Sequence, residues 1–342
     1  MPLVDVQHQA PAVAALTSAL ETGHLAHAWL FTGPDGVGRE LTALGLAQAL
    51  ICREQPRVGC GTCAACRRVG TRNHPDVLWV MSEDEQVRRG LAGKGDFQAT
   101  PSRDIRIEQV RRLQDRLSLK ALEGDAKVAI LISAHALNAN AQNALLKTLE
   151  EPPDGTVLVL ISSAPDKLLP TIRSRCTRAA FRPLPTAFIE QRVLATRKGT
   201  DAATARTVAM MAGGSLERAL ALDPATLVRR QEIIEGFEAL EASDARGWLQ
   251  LAEALAEDRR SAEAALDVLQ VWLRDVAVAQ AGSSDLANLD LAHLALAAAA
   301  RVSPIALQRR AGLLEEARNA ISARNGMARL QLERMLIEMF AA

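Results

Sequence analysis

Tyrosine is absent from the 342 residues, and aromatic side chains make up only 3%. Stacking of bases on aromatic rings, the usual device of single-strand binders, is thereby excluded as the main activity. Net charge is missing too, since 40 lysines and arginines balance 40 aspartates and glutamates. No bulk field draws the chain to a polyanion, so any contact with nucleic acid must be local. Nowhere do about 18 uninterrupted apolar residues occur, and Met1 to Ala19 lacks a basic segment followed by an apolar run. The expectation is a soluble, cytoplasmic protein with no membrane partner. What remains is 49% hydrophobic and 23% charged, the composition of an ordinary globular chain long enough for two or three domains with their own cores.

Three apolar runs organise the first half. His27-Ala28-Trp29-Leu30-Phe31-Thr32 stops at Gly33 and gives way to a helical pattern from Val37 to Cys52. Lys127 to Ile132 and Thr156 to Ile161 flank a helix from about Asn138 to Glu151, which Pro152-Pro153 ends because proline lacks an amide hydrogen and restricts the residue before it. Continuous apolar strands alternating with helices predict a parallel sheet covered on both faces. Ile105 to about Leu119 reads as a helix with Ile105, Ile107, Val110, Leu113 and Leu117 on its apolar side. Ser82 to Arg103 is polar and aperiodic and reads as a mobile loop carrying little chemistry. After Ala180 the strands end, Pro183-Leu184-Pro185 reads as a hinge, and Ala187 to Ala342 is helical with breaks near Gly213-Gly214, Asp223-Pro224 and Ser303-Pro304. The expected domains are 1–182, nucleotide-binding-like with a metal module at 52–66; 183–222, small and helical; and 223–342, a helical bundle.

Gly33-Pro34-Asp35-Gly36-Val37-Gly38-Arg39-Glu40 fills the frame G-x-x-x-x-G-K-[ST] directly after a strand and before a helix. In a working loop the amides, among them those of Gly33, Gly36 and Gly38, wrap the phosphates, the lysine reaches the β and γ oxygens and the hydroxyl holds magnesium. Arg39 stands for the lysine and Glu40 for the hydroxyl. A carboxylate there repels phosphate, so no productive ATP and magnesium site is expected, and the loop reduces to a glycine turn. Ile132-Ser133, where a P-loop ATPase presents its acidic pair, carries no charge.

Cys52, Cys60, Cys63 and Cys66 place four thiols within a short segment, with Gly59 and Gly61 beside Cys60 free to turn tightly. Disulfides fit poorly with a long chain lacking a leader, whereas soft thiolates favour zinc or iron–sulfur. A redox cluster has no evident electron partner here, so structural zinc is expected, with four free cysteines, or His74 replacing one thiol, as the alternatives. Cys176 stands alone and reads as a small buried residue.

Asn143-Ala144-Leu145-Leu146-Lys147-Thr148-Leu149-Glu150-Glu151-Pro152-Pro153, together with Ser174-Arg175-Cys176, resembles the bacterial clamp-loader subunits of DNA polymerase III. Within that family, a damaged phosphate loop beside a four-cysteine module is similar to the delta prime branch, whereas the gamma/tau motor keeps an intact loop and an acidic pair. The resemblance is dense from His27 to Cys176 and architectural thereafter. It implies an AAA+ fold, α/β plus all-α: a P-loop NTPase-like parallel-sheet domain, a small helical lid and a C-terminal collar. It further implies partners, namely gamma/tau and delta subunits in a hetero-pentamer, with the beta sliding clamp and primer-template DNA reached through the complex, inside a nucleotidyltransferase holoenzyme.

Ser174-Arg175-Cys176 would then set Arg175 in the ATP site of the neighbouring gamma/tau subunit. A guanidinium can bind the γ-phosphate bidentately and stabilise transition-state charge; the alternative is an ordinary ion pair, with Arg173 and Arg178 close by. Gly213 to Leu220 resembles the sensor-two segment, with Glu217 where the ATPases have arginine. Ser162-Ser163 matches the sensor-one neighbourhood or a plain turn. Arg106, Arg111, Arg112, Arg116 and Lys120 offer a basic face that meets phosphates or is simply solvated. The rival functions are an ATP-hydrolysing motor of the gamma/tau type and a zinc-containing AAA+ adaptor in DNA repair.

Overall fold

The computed structural model describes residues 2–322 and 326–340. Met1, 323–325 and 341–342, which the sequence assigns to the first domain and the C-terminal bundle, lie outside the described residues. The chain divides into two compact units, Met1–Pro185 and Thr186–Ala342.

In the first unit α1 (Ala10–Thr22) precedes β1 (Ala28–Thr32), α2 (Arg39–Ile51) and α3 (Ala64–Gly70). Next come β2 (Val77–Val80), α4 (Glu83–Arg88), α5 (Ile107–Ser118), β3 (Lys127–Leu131) and α6 (Ala139–Glu150). The unit closes with β4 (Thr156–Ser162), α7 (Pro170–Arg173) and β5 (Thr177–Ala180). The five strands form one parallel sheet in the order β2-β3-β4-β1-β5. Every residue of β1, β3 and β4 is buried, as continuous apolar runs require when helices cover both faces. Leu30 pairs with Leu160 and Ala129 with Leu158, and these side chains share a core with Val110, Leu113 and Leu117 of α5 and Leu145 and Leu149 of α6.

Helix limits follow local chemistry. The Asn138 side chain accepts from Ala141 N at 2.9 Å and starts α6, and Pro152-Pro153 prevent its continuation. Two expectations need correction. Ser82 to Arg103 is not structureless: the Ser82 hydroxyl accepts from Glu85 N at 3.2 Å and nucleates α4, and a turn of 3-10 helix follows at Lys94–Asp96. The sheet also has two strands beyond those the apolar runs mark, both at its edges. Of β5 only Ala179 is buried, so hydrogen bonding to β1 rather than an apolar face makes it a strand.

The second unit is wholly helical: α8 (Thr186–Thr196), α9 (Ala202–Met211), α10 (Leu216–Ala221), α11 (Pro224–Glu238), α12 (Ala245–Leu255), α13 (Arg259–Gln280), α14 (Ala292–Arg301), α15 (Pro304–Ser322) and α16 (Ala328–Phe340). The α-helices break at Gly213-Gly214, before Pro224 and before Pro304, and also over 197–201, 239–244, 256–258 and 281–291, where no such dipeptide marks the break. Met211 of α9 joins Ile234, Phe237, Leu269, Trp272 and Leu336 in one core, and the fully buried Asp275 accepts from Ala287 N and Asn288 N at 2.8 and 2.7 Å. No single helix among the described residues is long and apolar enough to cross a membrane.

Gln9, 1% exposed, ties the glycine loop to the strand end beside it. Its amide donates to Val37 O at 3.1 Å and to Arg182 O at 2.8 Å, and its carbonyl accepts from Arg182 N at 3.0 Å. Gln9→Ala strands the buried Val37 carbonyl and removes two bonds to the Arg182 backbone, and is expected to lower unfolding free energy by about 1–3 kcal/mol in urea titration; a loss below about 0.5 kcal/mol would contradict the tie.

Candidate functional site

The glycine loop joins β1 to α2 at the carboxyl ends of the strands, where open parallel sheets place their ligands. Gly33, at φ 141°, cannot be replaced, because an added Cβ would lie 2.3 Å from the Phe181 carbonyl oxygen. Gly36 and Gly38 also have positive φ, and Gly38 caps α2. Arg39, the first helical residue, is 5% exposed and its guanidinium turns back onto Asp35 of the same loop. Glu40 is gripped from two directions: Arg72 pairs with Oε1, and Arg89 Nη1 lies 2.8 Å from Oε2. Arg89 is held in turn by Glu85 at 2.5 Å, and the Arg72 guanidinium sits 5.1 Å over the Trp79 ring. Burial, with Arg89 alongside, lowers the Arg72 pKa from its ordinary value. The positions that serve phosphate and magnesium in an active loop are therefore filled by internal ion pairs. Arg89 comes from the segment expected to carry little chemistry, so that expectation is corrected here.

At the end of β3, Ile132 is buried and Ser133 takes a left-handed conformation with φ 51°. Neither offers a carboxylate. His135 in the following turn lies 3.3 Å from the Ser162 hydroxyl, and its pKa is lowered by burial, against the pull of Asp35 and with Lys167 and Arg39 nearby. The sequence reading passed over this histidine, because nothing in the short turn marks it.

Ser174 follows α7 and donates its hydroxyl to Thr171 O at 3.1 Å. Arg175 places Nη2 2.6 Å from Glu150 Oε1, at the end of α6, and donates from Nη1 to Thr171 O at 3.0 Å. Neither partner belongs to the glycine loop. Arg173 pairs with Asp166 at 2.7 Å and Arg178 donates to Thr32 Oγ1 at 3.1 Å. The Cys176 thiol is pushed up to about 12 by burial, as suits a packed residue rather than a nucleophile. Arg111, Arg112 and Arg116 on α5 are exposed, as are Arg106 and Lys120, which flank it. In the second unit Glu217 is exposed, while Arg218 beside it pairs with Asp267 at 2.5 Å.

The sulfurs of Cys52, Cys60, Cys63 and Cys66 all lie within 4.8 Å of one another, close enough to share one metal ion. Cys52 to Cys63 is 4.0 Å and Cys60 to Cys66 is 3.9 Å. Four Zn–S bonds of about 2.3 Å in a tetrahedron need sulfurs about 3.8 Å apart, so the donor set fits zinc and is far from disulfide contact. Amides supply the outer hydrogen bonds: Gln55 N and Cys60 N to Cys52 Sγ at 3.3 and 3.5 Å, Cys63 N to Cys60 Sγ at 3.3 Å, and Cys66 N to Cys63 Sγ at 3.4 Å. The Cys63 and Thr62 amides lower the Cys60 thiol to about 6, whereas burial raises Cys66 to about 12. Gly59, at φ 81°, packs so closely that a Cβ would meet the Gln48 and Ala49 backbone at 3.0 Å. His74 stands outside this group; its Nδ1 accepts from Asp76 N at 3.2 Å and its Nε2 lies 3.6 Å from Glu123.

A family model described as DNA polymerase III, delta subunit matches residues 8–185, and one described as DNA polymerase III, delta subunit, C terminal matches residues 224–339. The DNA polymerase III subunit delta prime of Bacillus subtilis is 30% identical over 274 residues, covering 79% of this chain and 77% of that protein. Its counterpart from Escherichia coli is 30% identical over 296 residues, covering 86% and 82%. The chain belongs to the delta prime family of DNA polymerase III subunits. A crystal structure of a DNA polymerase III gamma subunit-related protein from Thermotoga maritima aligns over 95% of this chain and 97% of that one, at 18% identity and TM-score 0.47.

In this delta prime family member the charge on Glu40 is what the loop's neighbourhood is organised to neutralise. Glu40→Ala leaves Arg72 and Arg89 facing each other, and an expected loss of about 1–3 kcal/mol follows in urea unfolding. That is less than the 3–5 kcal/mol of a fully buried pair, because these side chains stay 23–28% exposed. Arg72→Ala added to Glu40→Ala is expected to cost clearly less than Arg72→Ala alone, and strict additivity of the two would refute the coupling.

Proposed function

We propose that this chain is a clamp-loader subunit that hydrolyses no ATP itself and instead completes the ATP site of a neighbouring gamma/tau subunit. The single observation that carries the reading is Glu40, a carboxylate at the magnesium-ligand position, with Arg72 and Arg89 as its counter-ions. A loop neutralised from within has no call on Mg-ATP, and Ile132 and Ser133 supply neither the magnesium ligand nor the group that orients water. These features speak against a gamma/tau-like motor.

The active contribution is Arg175. With Ser174 fixing the turn, its guanidinium reaches the γ-phosphate bound in the adjoining subunit, bonds it with two parallel N–H groups and stabilises the charge that develops on transfer. Residues 183–222 serve as lid and residues 223–342 as collar in a cytoplasmic assembly of gamma/tau, delta and this chain, which sets the sliding clamp on primer-template DNA. Cys52, Cys60, Cys63 and Cys66 hold a structural zinc whose closed thiolate shell leaves no position for substrate. The metal supplies folding energy to a segment with little apolar core.

In an assembly where only the adjoining gamma/tau subunit can bind ATP, Arg175→Ala is expected to lower DNA-stimulated hydrolysis on the order of 10³-fold with the complex intact. An unchanged rate in an intact complex would refute the finger. The isolated chain is expected to show no magnesium-dependent ATP turnover; turnover abolished by altering Arg39 would make it a motor after all. Replacing Cys60 and Cys63 by serine is expected to release about one zinc per chain, read by metal analysis, and an unmodified protein without zinc would overturn the metal assignment.

A further inference from the structure

We infer that Glu150 is a positioning residue for Arg175, an inference that rests on the reading of Arg175 as a finger acting on a neighbour's ATP. Glu150 is the last residue of α6, and Pro152-Pro153 forbid another turn. An acid at that end of a helix faces the negative end of the peptide dipoles, a placement helices disfavour unless a cation compensates it. Arg175 is that cation. Its Nη2 lies 2.6 Å from Glu150 Oε1.

The guanidinium is fixed at two points on two elements, since Nη1 also donates to Thr171 O of α7 at 3.0 Å. A surface arginine otherwise samples many rotamers, and ordering it on the phosphate would cost entropy at each encounter. Here that ordering precedes the encounter. One of the five N–H donors is used, on Thr171 O, while Nη2 is held by ion pairing; the side chain is 36% exposed, so its remaining N–H groups can be reached by phosphate oxygens. A local choice that is unfavourable for the helix thus serves the presentation of the arginine.

The test uses the complex in which only the adjoining gamma/tau subunit binds ATP, with assembly checked by gel filtration. Misplacing a catalytic group by about 1 Å can cost on the order of 10²-fold. Glu150→Ala is therefore expected to lower kcat about 5- to 50-fold with KM for ATP within about twofold, and Glu150→Gln, which keeps an acceptor oxygen, to recover most of it. An unchanged or raised kcat, or a change confined to KM, overturns the positioning role while a collapsed Arg175→Ala leaves the finger standing. A normal rate in Arg175→Ala overturns the finger and this inference together. In the isolated chain the order parameter of the Arg175 Nε–H reads the restraint with no neighbour present. It is expected to fall in Glu150→Ala, and equal order in the two proteins overturns the inference without recourse to activity.

Discussion

A carboxylate fixed in the first turn of α2 is the charge on which the arrangement of the first unit depends. The start of a helix is a ready anion site, because its first amides lack partners and the peptide dipoles point their positive end there. Nucleotide-binding folds spend that feature on phosphate. Here Glu40 brings an anion belonging to the chain, and the chain must then supply the cations: Arg72 from the segment that follows α3, and Arg89 from the end of α4. Arg39 is answered in the same way, by Asp35. The loop keeps the backbone of a phosphate cradle, with Gly33 pressed against Phe181, while its charge requirements are met internally.

That constraint also explains how the cysteine module is joined to the sheet. Its helix α3 buries only Cys66 and Val69, too little apolar surface to hold it against α2. The remaining attachments are polar. Gln48 donates to Cys66 O at 2.9 Å, Arg68 Nη1 meets Glu123 at 2.7 Å, and Arg72 reaches Glu40. Whatever keeps the four thiols together therefore keeps Arg72 within reach of the loop, so the module and the loop share one electrostatic connection.

Much of this was legible in the sequence and some was not, for separable physical reasons. β1, β3 and β4 announce themselves because both faces are buried and every residue except Lys127 is apolar or small. β5 is silent because it lies at an edge and is fixed by backbone hydrogen bonds, which are blind to side-chain pattern. α4 is short and polar, and its one signal, Ser82 three residues before Glu85, is easily taken for loop composition. The substitutions Arg39 and Glu40 are visible as residue types in a known frame. Their resolution is not, because Arg72 and Arg89 lie 32 and 49 positions from Glu40, beyond any local periodicity.

The geometry separates the glycine loop from the arginine proposed as a finger. The glycine loop is ordered by Gln9, Asp35, Arg72 and Arg89, whereas Arg175 is ordered by Glu150 and Thr171. The two sets share no residue. Changes that remove phosphate chemistry at the loop therefore alter none of the residues that bond Arg175 directly. On the proposed reading, a chain can in this way give up its own nucleotide and still present an arginine to a neighbour's, provided that α6 and α7 keep their places on the sheet. The core that holds α6, with Leu145 and Leu149 packed on Leu158 and Leu160, contains none of the loop's charged residues.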